Sequence, residues 1–330
     1  MSIDLSYGGL LDERRDIAAM AEDFLGKAAA DPMAGVELGW FGIGIDERHG
    51  GSGGTFADLA PIIEAAGATG AATAAAWTAG VLARLLAETG GSLADELLPR
   101  IADGTETVAL PLADPAAAAR TVDAGGHLIV HGAPDPTVLL VPVTTSEGSR
   151  LALLPAQRAG LERLGCVDES RFLHRVDTSG VDAGELRVVG GAGAQDRLRE
   201  MVAVVAALDA VGAARKALGA TVAFSLERHQ FGRPIGSFQA YKHRCATAFQ
   251  LFKLAQSGAF RAAQDDDGRL ALAAALHGTR ACTFVCGEAV QLHGAIGFSW
   301  EYGLHAHLKR SRSAEIIAAA GEEMVDALLA

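Results

Sequence analysis

A short segment in the C-terminal half of the chain concentrates side chains that bind anions. Residues 227–239 read ERHQFGRPIGSFQ, and their guanidinium and side-chain amide groups belong to Arg228, Gln230, Arg233 and Gln239. Gly232 favours the left-handed or extended backbone found where helices end, and Pro234 blocks helix continuation, so a tight turn between two helices is predicted. Arginine beside amide side chains suits a phosphate or diphosphate, which is the ligand predicted for this turn.

The helix after this turn is predicted from its cap and its apolar stripe. Ser237 is expected to cap the helix through its hydroxyl oxygen. The apolar side chains that share one face at helical spacing are Phe238, Tyr241, Cys245, Phe249 and Phe252. The turn is therefore expected to join two long amphipathic helices.

Two further segments carry glycine-rich patterns. Residues 291–302 read QLHGAIGFSWEY, and residues 38–53 read LGWFGIGIDERHGGSG, followed by Glu64. Gly294 permits a close approach of backbone to a ligand. Taken singly, Arg228 could pair with a nearby acid, and Gln291 and Gly294 could be ordinary helix-ending residues. The joint pattern of the segments is what favours a ligand site.

The three segments together resemble the acyl-CoA dehydrogenase family. Residues 227–239 resemble its ER-x-QFG-x-PI-x-x-FQ pattern, residues 291–302 resemble its Q-x-x-GG-x-GF-x-x-EY pattern, and residues 38–64 resemble its N-terminal block more weakly. The resemblance covers both ends of the chain and little of the middle. It implies FAD-dependent α,β-dehydrogenation of an acyl-CoA thioester, in which a carboxylate removes the α proton and the flavin accepts the β hydride.

The resemblance also implies which residues contact FAD. In the family, these two C-terminal segments reach across a subunit interface and hold the diphosphate and adenosine of a flavin whose ring lies in the neighbouring subunit. Carried over position by position, the contacts are Arg228, Gln230, Phe231, Gln239, Gln291, Leu292, His293, Gly294 and Ala295. Ala295 replaces the second glycine of the family pattern, which restricts the approach to the backbone there.

The catalytic base of the family is missing from both of its usual positions. The family spacing places the base at Ala318, and the alternative position on the preceding helix falls on Val202. Neither side chain can accept a proton, so no catalytic residue is assigned. Three carboxylates remain as candidates for a relocated base: Glu200, Asp209 and Glu315. Glu200 is two residues from position 202, a rotation of about 200° on a helix, so it should face away.

The segments that hold the flavin ring and the thioester in the family are also eroded. They fall on residues 110–116, LPLADPA, and residues 126–132, GHLIVHG. The Ser-Asp pair and the Trp of the family patterns are absent, and Asp114 with Pro115 is interpreted as a remnant of a Glu-Pro pair. The chain is therefore expected to keep the dinucleotide contacts while lacking the other two parts of an active site.

Hydrophobic periodicity predicts a mostly α protein with a small β domain, in the element order that the resemblance implies. Residues 1–105 are predicted to form an N-terminal helical domain and residues 106–190 a reduced central antiparallel β domain. Residues 191–330 are predicted to form a C-terminal four-helix bundle. Its helices are expected near residues 196–229, 238–262, 269–292 and 304–319.

The charge balance limits the partners. The chain of 330 residues has 28 Lys and Arg against 40 Asp and Glu, a net charge of −12, which argues against nucleic acid and anionic membranes. Residues 1–11 lack the pattern of a signal peptide, and no long uncharged apolar run is present, so a cytoplasmic location is expected. The four cysteines are interpreted as reduced thiols, and no metal site is expected.

These expectations combine into the hypothesis that the cofactor contacts and the catalytic base of one active site belong to two different subunits. The chain resembles the shorter subunit of heteromeric acyl-CoA dehydrogenases of actinobacterial steroid side-chain catabolism, which form α2β2 tetramers with a full-length catalytic chain. The resemblance implies FAD, a full-length partner, an acyl-CoA substrate at the partner's site and an electron-transfer acceptor. Two alternatives stay open. One is a self-sufficient homomer whose base is Glu315 or Asp209, and the other is a non-catalytic scaffold without cofactor.

Overall fold

The computed structural model describes residues 12–27, 31–112, 122, 125–146 and 148–318. It confirms a mostly helical protein with a small β sheet. The chain divides into two compact units that interleave along the sequence. The first comprises Met1–Ala29, Ala60–Ala71 and Ala206–Ala330, and the second comprises Ala30–Leu59 and Ala72–Val205. The division into three consecutive domains stays a prediction, and Asp114 and Pro115 lie outside the described residues.

The N-terminal part of the chain is helical, as predicted. Its helices are α1 (Asp12–Lys27), α2 (Phe56–Thr69), α3 (Ala75–Trp77), α4 (Arg84–Thr89) and α5 (Gly91–Ala102). A six-residue π-helical segment, Thr78–Ala83, joins α3 to α4 and is fully buried. That segment was not predicted, because an alanine-rich apolar run reads as an uninterrupted α-helix.

A seven-stranded sheet follows. Its strands are β1 (Val108–Pro111), β2 (His127–Gly132), β3 (Val138–Thr145), β4 (Gly148–Pro155), β5 (Gly160–Leu164), β6 (Leu173–Asp177) and β7 (Arg187–Val189). The order is β5-β6-β2-β1-β3-β4-β7. Pairing is antiparallel, as predicted, except that β1 and β3 are parallel. The exception arises because β2 and β3 flank β1 on opposite sides and the chain reverses after each of β1 and β2.

The C-terminal helices form a bundle close to the predicted bounds. They are α6 (Ala194–Glu227), α7 (Gln239–Asp265), α8 (Gly268–Ala273), α9 (Arg280–His293) and α10 (Leu304–Ile317). A second π-helical segment, Ala274–Thr279, joins α8 to α9. Helices α7 and α9 are tied by two hydrogen bonds from Arg244 to the Glu288 carboxylate, at 2.7 and 2.9 Å.

Two glycines set the spacing between α2 and α6. A Cβ atom on Gly212 would lie 1.9 Å from the Glu64 carbonyl oxygen, and one on Gly67 would lie 2.0 Å from the Asp209 carbonyl oxygen. Only hydrogen fits at these two places, so the helix backbones pack at a distance that any other residue would increase. The buried Glu64 carboxylate beside this contact accepts a 2.7 Å hydrogen bond from Arg215 Nε.

Among the described residues, one helical stretch is long and apolar enough to cross a membrane. It covers Gly268–Phe298, and 56% of its most apolar window is buried inside the protein. Core helices of globular proteins meet the same criterion, so the stretch is weak evidence for a membrane span. The absence of a membrane partner stays a prediction.

Candidate functional site: an exposed anion-binding surface at the end of the bundle

The segment between α6 and α7 forms a small hairpin. Its strands are β8 (His229–Gln230) and β9 (Arg233–Pro234). The two turn residues, Phe231 and Gly232, have φ of 53° and 77°. Positive φ at both positions is typical of the tight turns of two-residue hairpins. The left-handed Gly232 is confirmed, whereas the hairpin was not predicted because its strands are only two residues long.

Ser237 does not cap α7, contrary to the prediction. The N-cap position is held by Phe238 in an extended conformation (φ −80°, ψ 136°), without a side-chain hydrogen bond to the helix. A 3-10 turn, Ile235–Ser237, precedes it and shifts the helix start by one residue. The Ser237 hydroxyl is buried and has no hydrogen-bond partner among the described residues.

The predicted polar contacts of the hairpin are exposed. Arg228, Gln230 and Gln239 all face solvent, and Phe231 is 91% exposed. Arg233 lies over the Phe238 ring, with the guanidinium carbon 4.1 Å from the ring centroid. Within the described ranges, neither arginine has an ion-pair partner, so Arg228 does not pair with Glu227. Unpaired guanidinium groups in a protein of net charge −12 favour an anionic ligand.

The second predicted segment begins at the C-terminal end of α9. Gln291 and Ala295 are exposed, Leu292 is half-buried, and Gly294 ends the helix with φ 66°. A Cβ atom on Gly294 would have no atom within 4 Å, so the backbone there is open to a ligand. A dinucleotide needs donors for its diphosphate and room beside the backbone, and the residues present fit both needs.

His293 differs from the other predicted contacts because its side chain is buried. Its Nδ1 lies 2.7 Å from the Ala289 carbonyl oxygen, and its Nε2 lies 3.1 Å from the Tyr302 hydroxyl. Burial lowers the pKa of His293, and the hydrogen bond to Ala289 partly opposes that shift. The imidazole therefore contacts its own bundle rather than the open surface.

Phe224 brings the two segments together. Its ring stacks on the His293 imidazole at a centroid distance of 4.4 Å, and its carbonyl oxygen accepts the backbone N–H of Arg228 at 2.9 Å. Burial raises the pKa of Tyr302, and the neighbouring Glu227 carboxylate adds to the increase. The residues predicted from two separate segments therefore meet at the same end of the bundle. We call the exposed residues Arg228, Gln230, Phe231, Gln239, Gln291, Gly294 and Ala295 the clamp surface.

Neither usual base position carries an acid. Ala318 follows α10 and is 3% exposed, and Val202 lies half-buried in α6. Both side chains are apolar, as the sequence requires. The neighbouring Ala319 and Ala320 lie outside the described residues.

The three candidate carboxylates are all held by other side chains. Glu200 Oε2 accepts from Arg197 Nη1 at 3.2 Å. The buried Asp209 Oδ1 accepts from Arg310 Nε at 3.0 Å and Nη2 at 2.6 Å. Each of these two carboxylates therefore has an arginine partner.

Glu315 is held in a similar way. Its Oε2 accepts from Arg312 Nη1 at 2.7 Å and from the Thr283 hydroxyl at 3.1 Å. A proton acceptor must be available to a substrate carbon, and a carboxylate occupied by such donors is poorly suited to that role.

Arg310 was missed in the sequence, although a signal was present. It falls on the same helical stripe as Ala314 and Ile317, four and seven residues later. A cation on an apolar stripe requires a buried acid as its partner. That requirement explains why Asp209 is buried on α6.

Comparisons with known families support the same fold from the sequence. Residues 13–105 match the acyl-CoA dehydrogenase N-terminal domain, and residues 191–328 match the acyl-CoA dehydrogenase C-terminal domain. The acyl-CoA dehydrogenase FadE34 of Mycobacterium tuberculosis is 32% identical over 289 residues. The match covers 83% of this chain but only 38% of FadE34, so the chain spans well under half the length of that relative.

Solved structures share the fold over almost the whole chain. A variant of the Tcur3481–Tcur3483 steroid ACAD has a TM-score of 0.80 at 21% identity, and the match covers 96% of each chain. The ChsE4–ChsE5 complex of Mycobacterium tuberculosis has a TM-score of 0.82 at 19% identity, covering 98% of each chain. At these identities the likeness establishes the fold alone.

Proposed function

Because the chain belongs to the acyl-CoA dehydrogenase family, we propose that it is one subunit of a heteromeric FAD-dependent acyl-CoA dehydrogenase. In this proposal a full-length acyl-CoA dehydrogenase chain supplies the base and the substrate site in an α2β2 tetramer. The present chain supplies the contacts to the diphosphate and adenosine of FAD. The complex is cytoplasmic and passes electrons to a separate acceptor.

One observation carries the proposal: the clamp surface is exposed and unpaired, while the base position is a buried methyl group. Arg228 has no ion-pair partner among the described residues, and Gly294 leaves its backbone open. Ala318 cannot accept a proton. In a homomer each chain needs both halves of a shared site, whereas a heteromer can divide them between two chains.

The chemistry assigned to this chain is binding and orientation. When bound, the flavin supplies the hydride acceptor for the β carbon of the substrate, and the α proton goes to a carboxylate of the partner. The Arg228 guanidinium neutralises diphosphate charge, and the amides of Gln230, Gln239 and Gln291 donate to diphosphate, ribose or adenine. Such contacts fix the dinucleotide without taking part in proton transfer.

A self-sufficient enzyme with a relocated base receives less support. Asp209 is buried against Arg310, and the Glu315 carboxylate accepts from Arg312 and Thr283. Either carboxylate would have to leave these donors before it could accept a proton from carbon. For Asp209, whose ion pair with Arg310 is buried on both sides, that separation costs several kcal/mol, on the order of 3–5.

The proposed substrate is an acyl-CoA with a bulky acyl group, such as a steroid side-chain thioester. Support comes from the solved structures that share the fold, one of which is described as a steroid ACAD and another as a complex of two named chains. Both facts concern those proteins. We extend them to this chain because it shares the fold and has no acid at the usual base positions.

The test is to purify the chain from its native host with whatever partner it retains, and to count flavins per tetramer by absorbance. The chain alone should hold little flavin and show no dehydrogenase activity. The complex should hold flavin and be active. Arg228→Ala should weaken flavin binding by about 10- to 100-fold, because a charge-assisted hydrogen bond is lost. The matched control is Arg261→Ala, which removes an exposed arginine of α7 that pairs with Asp265.

A yellow, active homomer would overturn the proposal and favour the self-sufficient enzyme. Flavin content that is unchanged by Arg228→Ala in the complex would favour the scaffold. One flavin for each pair of unlike chains, lost on Arg228→Ala and kept on Arg261→Ala, is the expected result.

A further inference from the structure

Two side chains, the buried His293 and the partly exposed Tyr302, close the loop that follows α9. The loop starts at Gly294, passes through the 3-10 segment Gly294–Phe298 and returns to Tyr302. There the Tyr302 hydroxyl lies 3.1 Å from His293 Nε2. Gly297 packs closely against the end of α9, since a Cβ atom there would lie 2.7 Å from the Val290 carbonyl oxygen. The loop is thus held at both of its ends and near its middle.

The hydrogen bonds of His293 identify its tautomer. A carbonyl oxygen can only accept, so the Nδ1 that faces Ala289 must carry the proton. Nε2 is then a bare acceptor, and the Tyr302 hydroxyl must donate to it. Each polar atom of the pair has one assigned role, and removing the hydroxyl would leave a buried acceptor without a partner.

The same imidazole is linked to the other half of the clamp surface. Phe224 stacks on it with an interplanar angle of 24° and a centroid distance of 4.4 Å. One helical turn later, the Arg228 N–H donates to the Phe224 carbonyl oxygen. A displaced His293 would therefore disturb the Gly294 turn directly and the start of the hairpin through Phe224.

We infer that Tyr302 and His293 are positioning residues, which hold the Gly294 turn and the Arg228 hairpin at the spacing that the dinucleotide requires. We call this hydrogen-bonded pair the Tyr302–His293 clasp. In this inference the His293 imidazole is buried beneath the clamp surface and orients the residues of that surface without contacting the cofactor. The inference rests on the proposed function, since it assigns the clasp to the same clamp surface.

The test uses the purified complex and the variant Tyr302→Phe, which removes one oxygen atom. The flavin dissociation constant, measured by fluorescence, should rise about tenfold, as expected for one unsatisfied buried acceptor. The matched control is Tyr241→Phe in the same bundle. The Tyr241 hydroxyl donates to the Thr221 carbonyl oxygen at 3.4 Å and, within the described part of the chain, forms no hydrogen bond to the loop. It should leave flavin binding unchanged at a similar melting temperature.

Two readouts separate positioning from general stability. Long-range ¹H–¹⁵N spectra of the imidazole should show a proton on Nδ1 of His293, and the Nε2 signal should move in Tyr302→Phe. His293→Asn keeps a donor near Ala289 but loses both the Nε2 acceptor and the stacking on Phe224, so it should weaken flavin binding at least as much as Tyr302→Phe. The double variant should bind flavin about as well as His293→Asn alone, because the hydrogen bond that Tyr302→Phe removes is already lost in that variant.

Several outcomes would overturn the inference. They are a proton on Nε2 in the wild type, additive losses in the double variant, or wild-type flavin affinity in Tyr302→Phe. If the wild-type complex itself holds no flavin, the proposed function fails together with the inference. Failure of the inference alone is recognised by a wild-type complex that binds flavin and a Tyr302→Phe complex that binds it equally well.

Discussion

Two regions of the C-terminal bundle carry charged side chains in opposite environments. At the clamp surface, Arg228 and Gln239 are exposed and no described carboxylate pairs with Arg228. On α10, Arg310 and Asp209 are both buried and joined at 2.6 Å. The first arrangement leaves charge available to a ligand, and the second uses charge to hold helices together. The difference teaches that, within one helical bundle, arginine can either stay exposed and available to a ligand or be buried to hold helices together.

The largest effect is expected where charge is buried. Arg310→Ala leaves the Asp209 carboxylate buried without this partner, which should destabilise the fold by about 3–5 kcal/mol. Chemical denaturation of the chain measures it. Arg175→Ala is the control, because Arg175 forms a 2.8 Å pair with Glu162 that is exposed on both sides. That change should cost under about 1 kcal/mol. Equal costs would remove the distinction between buried and exposed pairs.

His307, near Arg310 on α10, should make the fold sensitive to acid. Burial, with Arg310 and Lys216 nearby, lowers the pKa of His307 from 6.5 to about 4. Below pH 6.5, His307 is protonated in the unfolded chain but stays neutral in the folded chain until the pH approaches 4. The free energy of unfolding therefore falls as the pH falls. The loss between pH 6.5 and 5 should be about 1–2 kcal/mol. His307→Gln should remove it, and His277→Gln, at an exposed histidine, should not. Equal acid slopes in both variants would contradict the prediction.

At the clamp surface, Gly294→Ala should weaken flavin binding about five- to tenfold while costing about 1 kcal/mol of stability. The stability cost arises from the positive φ of 66°, and the binding loss arises from the added methyl group. Gly90→Ala is the matched control, since Gly90 ends a helix with φ 67° and ψ −164°, close to the φ 66° and ψ −143° of Gly294, and has equally open surroundings. The control should lose similar stability and keep its flavin. Flavin loss in both would assign the effect to the backbone alone.

The smallest effect is expected from Glu315→Gln. The amide oxygen can still accept from Arg312 and Thr283, so stability should change by under about 1 kcal/mol. Turnover of the complex should stay within a factor of two, an estimate that follows from assigning the base to the partner. A fall of about a hundredfold with full flavin content would show that Glu315 is the base.

The sequence predicted the elements whose causes are local. The helix bounds follow from apolar periodicity, and the left-handed Gly232 follows from its place before Pro234. The resemblance of two segments predicted that both contact the same cofactor, and this stays a prediction. The structure places the two segments side by side, because Phe224 stacks on His293.

The features that sequence reasoning missed depend on distant partners. Ser237 failed as a cap because the 3-10 turn before Phe238 moved the helix start. The buried state of His293 depends on Phe224 and Tyr302, which no local pattern connects. The parallel pairing of β1 with β3 likewise results from chain reversals that periodicity does not encode.

The glycine contact between α2 and α6 has a consequence for how this chain can diverge. Gly67 and Gly212 hold the helix backbones at a distance that leaves no room for a methyl group. The ion pairs of Arg215 with Glu64 and of Arg310 with Asp209 both reach side chains of those helices. Saturation mutagenesis should therefore find these two glycines among the least replaceable positions. Under the proposed function, substitutions are tolerated at position 318, where alanine stands, but not at the glycines that set the distance between these two helices.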